Sequence, residues 1–208
     1  MITTSYLVIG SGIAGLTYAV KIAEKFPEKS ITIVTKSTED ESNTKYAQGG
    51  VAIVLDLEKD SFNKHIQDTL TAGGGLCDLS VVENVITEGP QRLKELMQWG
   101  ANFDVNNEGN LDLGKEGGHS EYRIVHHKDI TGFEVERALL NRSHQLSNIT
   151  ILQHHFAIDL ITEHQLKNVD SNSLKCYGVY VLDQKSKKVL TIKADRTVLA
   201  SGGIGRIY

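Results

Sequence analysis

The chain of 208 residues carries 22 Lys and Arg against 26 Asp and Glu, a formal net charge of −4, with 40% of its residues apolar and 23% charged. That balance suits one large folded domain, or one and a half, and excludes wholesale disorder, while the acidic excess lacks the basic surplus that nucleic acids and anionic membranes select. No apolar run reaches the roughly 20 residues that span a bilayer, and the distant Cys77 and Cys176 offer no metal-ligand spacing and suit a reducing cytoplasm.

Residues 5–9 (SYLVI) form an apolar, β-branched and aromatic run that reads as a buried strand. Gly10-Ser11-Gly12-Ile13-Ala14-Gly15 follows at once. Leu16, Ala19, Val20 and Ala23 then recur at helical spacing before Pro27 closes the segment. Residues 31–34 (ITIV) are a second strand, so the opening is a βαβ unit whose crossover should be right-handed.

Past Lys36 the chain is polar as far as Gly50, and residues 51–55 resume as an apolar run. Helical periodicity returns over 61–71 and stops at Gly73-Gly74-Gly75. Asp78 or Ser80 caps a further helix, in which Val81, Val82, Val85 and Ile86 form one face. Gly89-Pro90 is expected to interrupt it, with 92–99 a fresh helix that puts Leu93, Leu96, Met97 and Trp99 in the core. Residues 102–118 are loop-like, with 111–113 at most a short strand, and 134–145 are helical after Thr131-Gly132. Five strand-like runs follow, at 149–153, 157–163, 176–182, 189–193 and 196–200, spaced as in an antiparallel meander. The expected class is α/β, a Rossmann-like βαβ unit with an antiparallel β-meander.

Between a strand and a helix, Gly10-x-Gly12-x-x-Gly15 has a defined task. The first glycine makes the sharp turn, the second lets a phosphate approach the backbone, and the third lets helix and strand pack closely. The N–H groups and dipole of the helix start then receive a pyrophosphate. The alternative is a glycine turn without a ligand. The acidic residue that grips a ribose after the second strand is missing: Thr35-Lys36-Ser37 stands there, and Glu39 and Asp40 arrive late. That absence weakens an NAD reading.

Five motifs succeed one another along the chain. They are Asn43-Thr44-Lys45-Tyr46-Ala47-Gln48-Gly49-Gly50, Asp68-Thr69-Leu70-Thr71-Ala72-Gly73-Gly74-Gly75, Gly114-Lys115-Glu116-Gly117-Gly118-His119-Ser120, Asp129-Ile130-Thr131-Gly132 and Thr197-Val198-Leu199-Ala200-Ser201-Gly202-Gly203. Together they resemble the flavoprotein subunits of succinate dehydrogenase and fumarate reductase and, within that family, its L-aspartate oxidase branch. The resemblance implies an FAD-binding domain over residues 1–208, truncated before the capping domain.

It also implies a set of cofactor contacts. Gly10, Ser11, Gly12, Ile13, Ala14 and Gly15 would line the pyrophosphate, with Lys36 near the adenosine. Asn43, Thr44, Lys45, Tyr46, Ala47, Gln48, Gly49 and Gly50 would follow the middle and flavin end of FAD. Phe156 and Ala157 would offer backbone groups to the adenine, and Ala200, Ser201 and Gly202 form the second flavin motif. Respiratory members carry a histidine bonded covalently to the flavin. This chain has Ser42-Asn43-Thr44 there, and an amide is no nucleophile, so the implied FAD is non-covalent.

Glu116 is the implied substrate-orienting residue, since aspartate carries an ammonium group for a carboxylate to pair with and succinate does not. The implied reaction oxidises L-aspartate to iminoaspartate, with electrons passed to oxygen or fumarate, as the first step of de novo NAD biosynthesis. Quinolinate synthase is the implied partner. No nucleic acid, membrane or metal is expected, since His126-His127 and His154-His155 would point to opposite faces of a strand. Arg123, Arg137, Arg142 and Arg206 do not match the family's carboxylate-binding motifs. The resemblance implies that the proton-transfer arginine, with most other substrate contacts, lies on a capping domain and later segments beyond residue 208, so this chain alone should lack a complete active site. The rival readings are a respiratory-type flavoprotein and, in a different class, an NAD-dependent dehydrogenase domain or a nucleotide-binding module without catalysis.

Overall fold

In chain order the elements are β1 (Ile2–Ile9), α1 (Ile13–Lys25), β2 (Ile31–Val34), β3 (Val51–Ala52), α2 (Phe62–Ala72), α3 (Leu79–Gln98), β4 (Leu113–Gly114), β5 (Ile124–Val125), α4 (Thr131–Gln145), β6 (Ile149–Leu152), β7 (His155–Thr162), β8 (Cys176–Asp183) and β9 (Lys188–Leu199). They are those of a computed structural model that describes residues 1–163 and 175–203. The chain divides into two units, Met1–Lys45 with Leu139–Tyr208, and Tyr46–Ala138.

The first unit is built on a six-stranded sheet of order β6-β2-β1-β9-β8-β7. β1 lies parallel to β2 and to β9, and β2 lies parallel to β6. β8 runs antiparallel to β7 and β9. β2 is buried along its whole length, as a strand covered on both faces must be. α1 buries Gly15, Leu16, Ala19, Val20 and Ala23, the stripe its periodicity marks. Leu7, Ile9, Val34, Val179, Val181 and Ile192 form a core cluster of the sheet.

Two expectations for the last third change. The run at 149–153 is not part of the meander: β6 follows α4 directly, and a helix is the connection a parallel strand needs. The runs at 189–193 and 196–200 are one strand, β9. Asp195 and Arg196 are exposed, so their polarity leaves the pairing of β9 with β1 intact.

The second unit has a three-stranded antiparallel sheet of order β3-β5-β4, with α2 and α3. Ser61 caps α2 by accepting from the Lys64 N–H, and Asp78 caps α3 by accepting from Ser80 and Val81. α3 runs unbroken through Pro90, contrary to the expected interruption. Ile86 and Leu93, seven residues apart, share one buried stripe across the proline. Gly89 lets the same face approach Ile53, since a Cβ there would lie 3.1 Å from Ile53 Cδ1. Burying that stripe outweighs a proline cost of about 3 kcal/mol. The stripe is narrower than expected: Val81 and Val85 are 55% and 66% exposed, Met97 is exposed and Trp99 only half-buried.

Candidate functional site

In the first unit, β1, β2, β6 and β9 end in register, with Ile9 beside Val34 and Leu199, and Val34 beside Leu152. The chain leaves β1 for β2 on one side, while β9 lies on the other. That arrangement is the switch point where open α/β sheets bind their ligands. The Gly10–Gly15 turn, Thr35-Lys36 and Ala200-Ser201-Gly202 all lie at this edge.

The three glycines meet different surroundings. Gly10 has φ +116°, and a Cβ there would overlap the Ala200 carbonyl. A Cβ on Gly15 would overlap the Gly10 carbonyl, so only glycine lets α1 start this close to the turn. Gly12 is different. It is the N-cap, without a side-chain cap, and a Cβ would meet nothing nearer than Thr44 Oγ1 at 3.6 Å. A Cβ there would make only ordinary contacts, with Thr44 and Ser42, and the first turn of α1 holds no acidic residue.

Ser11 is buried and donates to Thr35 Oγ1 at 3.0 Å, tying the turn to the end of β2. The Gly10 N–H donates to Val34 O at 2.9 Å and the Ala200 N–H to Ile9 O at 2.8 Å, so both glycine-rich segments continue their strands' ladders. Ile13 and Ala14 are exposed at the helix start, and the Ile13 N–H donates to Thr44 Oγ1 at 3.0 Å. Thr44 is thereby brought to the glycine turn.

The adenosine-end candidates also converge. Lys36 is exposed and its carbonyl accepts from the Gln184 side chain. The His155 N–H donates to Thr35 O at 2.9 Å and the His154 N–H to Ser37 O at 2.9 Å, which sets the start of β7, with Phe156 and Ala157, beside the end of β2. Phe156 is exposed on this edge strand. The late acidic residues are engaged elsewhere. Glu39 accepts from His144 and Gln153, and Asp40 lies 2.6 Å from Lys45 Nζ, which holds its carboxyl below the usual range. Lys45, expected along the cofactor, thus makes an ion pair with Asp40.

In the second unit three motifs meet at the Tyr46–Gly50 segment. The Gly132 N–H donates to Ala47 O at 2.9 Å, and the Gly50 N–H donates to Glu116 Oε1 at 3.2 Å. A Cβ on Gly49 would lie 3.9 Å from both Glu116 oxygens, so these glycines run directly under the carboxylate. A Cβ on Gly50 would overlap Ile124, which fixes this stretch against β5. Glu116, Tyr46, Ala47, Gln48 and Gly49 are all exposed.

Beneath the Glu116 loop lies a buried charge network that its sequence did not signal. Arg123 is 0% exposed and forks onto Asp60, with Nε 2.8 Å from Oδ2 and Nη2 2.7 Å from Oδ1. Its Nη1 lies 2.5 Å from Asp68 Oδ2 and 3.3 Å from His119 Nδ1. The same Asp68 oxygen accepts from the Ser120 N–H and hydroxyl, each at 2.8 Å. Burial opposes the Asp68 charge, but Ser120 and Arg123 outweigh it and hold the carboxyl at about 2. Burial, reinforced by Arg123 and His119, pushes His65 down, and its buried Nδ1 has no hydrogen-bond partner. Its ring centroid lies 5.5 Å from that of His119. The one hint in the sequence was the position of Asp68 and His119 within family motifs.

Because β5 ends at Val125, the strand alternation expected of His126 and His127 does not reach them. Both approach one carboxylate, His126 Nδ1 at 3.1 Å and His127 Nδ1 at 3.7 Å from the Asp104 oxygens. Among the described residues, no group of three or more His, Cys, Asp and Glu could hold a metal ion.

Comparison with known proteins fits this geometry. The chain matches the FAD binding domain family over residues 5–208. It is 48% identical over 203 residues to L-aspartate oxidase 2-b, chloroplastic, of Nicotiana tabacum, which covers 98% of this chain and 30% of that protein. It is 41% identical over 203 residues to L-aspartate oxidase 1 of Ralstonia nicotianae, covering 97% and 37%. The chain therefore spans about a third of the length of these curated relatives. A solved E. coli quinol fumarate reductase matches all of this chain and 34% of its own with a TM-score of 0.89 at 29% identity.

Proposed function

Because the chain belongs to the FAD binding domain family, we propose that it is the flavin-binding portion of an enzyme that oxidises L-aspartate to iminoaspartate, the first step of de novo NAD biosynthesis. FAD is the cofactor, and the residues present fit it: a Gly10 cradle closed to any Cβ, a Gly12 N-cap without a side-chain cap, and a helix start free of acidic side chains. Gly10 to Gly15 hold the pyrophosphate, and Ala200 to Gly202 stand at the same sheet edge. Lys36, Phe156 and Ala157 serve the adenosine, and Asn43 to Gly50 the flavin half. The cofactor is held without a covalent bond, since Asn43 offers no nucleophile. When bound, FAD supplies the acceptor for a hydride leaving the substrate Cα.

The observation that carries the reading is the exposed Glu116 carboxylate held over Gly49 and Gly50 in the second unit. One Glu116 oxygen is committed to a backbone N–H and fixes the side chain. The other is open to a substrate ammonium, an interaction that succinate lacks. Residues 1–208 serve as the FAD-binding domain, and the arginines that grip the two substrate carboxylates lie on the capping and C-terminal domains outside this chain. Oxygen or fumarate takes the electrons, and quinolinate synthase takes the product. Among the described residues no helix is long and apolar enough to cross a membrane, and two free thiols suit the cytoplasm. The full-length protein should turn over L-aspartate in preference to succinate. Turnover of succinate in preference to aspartate would instead support a respiratory-type flavoprotein.

A further inference from the structure

The segment that carries Glu116 is a long hairpin loop, residues 115–123, joining β4 to β5. Its ends are closed by the β4–β5 ladder and by the Arg123 N–H donating to Gly114 O at 3.1 Å. Inside it, the His119 N–H donates to Glu116 O at 3.2 Å and Lys115 Nζ to Ser120 O at 2.8 Å, so Glu116, His119 and Ser120 move as one turn. Gly117 and Gly118 stand between them with open space around, and Gly118 has φ +85°. A stretch this rich in glycine has little stiffness of its own.

Asp68 on α2 anchors that turn to the body of its unit, beside the Lys64–Glu121 ion pair at 2.6 Å and the Gly50–Glu116 hydrogen bond. A single oxygen, Oδ2, receives the Ser120 N–H, the Ser120 hydroxyl and Arg123 Nη1. Asp60, just ahead of α2, takes the rest of the Arg123 fork. Asp68 and Ser120 lie 52 residues apart in two separate sequence motifs and are joined here at one atom.

We infer that Asp68 and Ser120 are positioning residues for substrate recognition: through the Ser120 amide and hydroxyl, Asp68 fixes the loop on which Glu116 meets the ammonium group of an α-amino dicarboxylate. The inference rests on the proposed role of Glu116. The role assigned to Asp68 is indirect: its oxygen holds Ser120 and Arg123, and it acts through the loop. Losing it frees the turn, so Glu116 must be ordered at each binding event, and affinity for an ammonium-bearing substrate falls while the chemical step is spared.

The test uses the full-length protein with Asp68→Ala, Asp68→Asn and Ser120→Ala, each alone and with Glu116→Gln. Asp68→Ala should raise KM for L-aspartate about tenfold with kcat and FAD content changed less than about twofold. Asp68→Asn keeps an oxygen for Ser120 and loses the charge, so it should give a smaller rise, about threefold. In the Glu116→Gln background Asp68→Ala should add less than about twofold, because both changes remove the same interaction. Without any substrate, amide exchange across 115–120 should quicken about tenfold in Asp68→Ala. An unchanged KM, or an effect just as large when Glu116 is already replaced, would overturn the inference. If Asp68→Ala does not fold, Asp68→Asn and Ser120→Ala decide by the same readings. If the wild-type protein does not oxidise aspartate yet Asp68→Ala still loosens the loop, the proposed function fails, not the anchoring.

Discussion

The Gly50 N–H and Glu116 Oε1, 66 residues apart in sequence, stand 3.2 Å apart in the second unit, so a loop assigned to the flavin and a side chain assigned to the substrate share one hydrogen bond. Glu116→Gln keeps an oxygen for the Gly50 N–H and removes only the charge. In the full-length protein it should raise KM for L-aspartate about tenfold and KM for fumarate less than about twofold. Steady-state kinetics on both substrates checks this; equal effects would remove the ammonium-pairing role.

Gly10 and Gly12 should respond differently to a methyl group. Gly10→Ala drives a Cβ into the Ala200 carbonyl at a positive φ and should lower stability by about 2 kcal/mol or more, whether or not FAD is added. Gly12→Ala has room in the free protein. Its melting temperature without FAD should stay within a degree or two, while FAD affinity falls about tenfold as the methyl displaces the approaching phosphate. Thermal melts and flavin titration separate the two.

The buried network makes the fold acid-sensitive in two windows. His65 is buried, faces Arg123, His119, Asp60 and Asp68, and is held below its free value. The unfolded chain therefore binds the proton more readily, and stability present above about pH 6.5 is lost as pH falls through that value. Asp68, held at about 2, contributes stability that is complete above about pH 4 and is lost between there and its folded value. Denaturant unfolding from pH 7.5 to 5 should show the first loss, and His65→Phe should flatten it, since the unpartnered Nδ1 is then gone.

Pro90 offers a check on α3. If the helix is continuous in solution, Pro90→Ala should raise stability, by up to about 3 kcal/mol, measured by urea unfolding. No gain would mean that the helix breaks there.

The βαβ opening was legible because each of its residues answers a local demand: a wholly apolar β2, a stripe of small and branched residues on α1, and glycines at the two points where backbone meets backbone. Local demand is also why 196–200 looked separate from 189–193. Asp195 and Arg196 break the apolar pattern, yet strand pairing concerns the backbone, and β1 supplies the partner from across the chain. Pro90 misled for a related reason. A breaker is a local cost, whereas the shared burial of Ile86 and Leu93 that outweighs it is tertiary. At the site, Glu116 and the glycines were visible as motif members. Arg123 was not, because a lone arginine in a polar loop carries no sign of the two carboxylates, from a different helix region, that bury it.

FAD held without a covalent link is the central feature of the proposed enzyme. The full-length protein should purify yellow, and acid precipitation should leave a colourless pellet with all the flavin in the supernatant. Flavin fluorescence that stays with the precipitated polypeptide, or a folded full-length protein that neither carries nor takes up FAD, would contradict it.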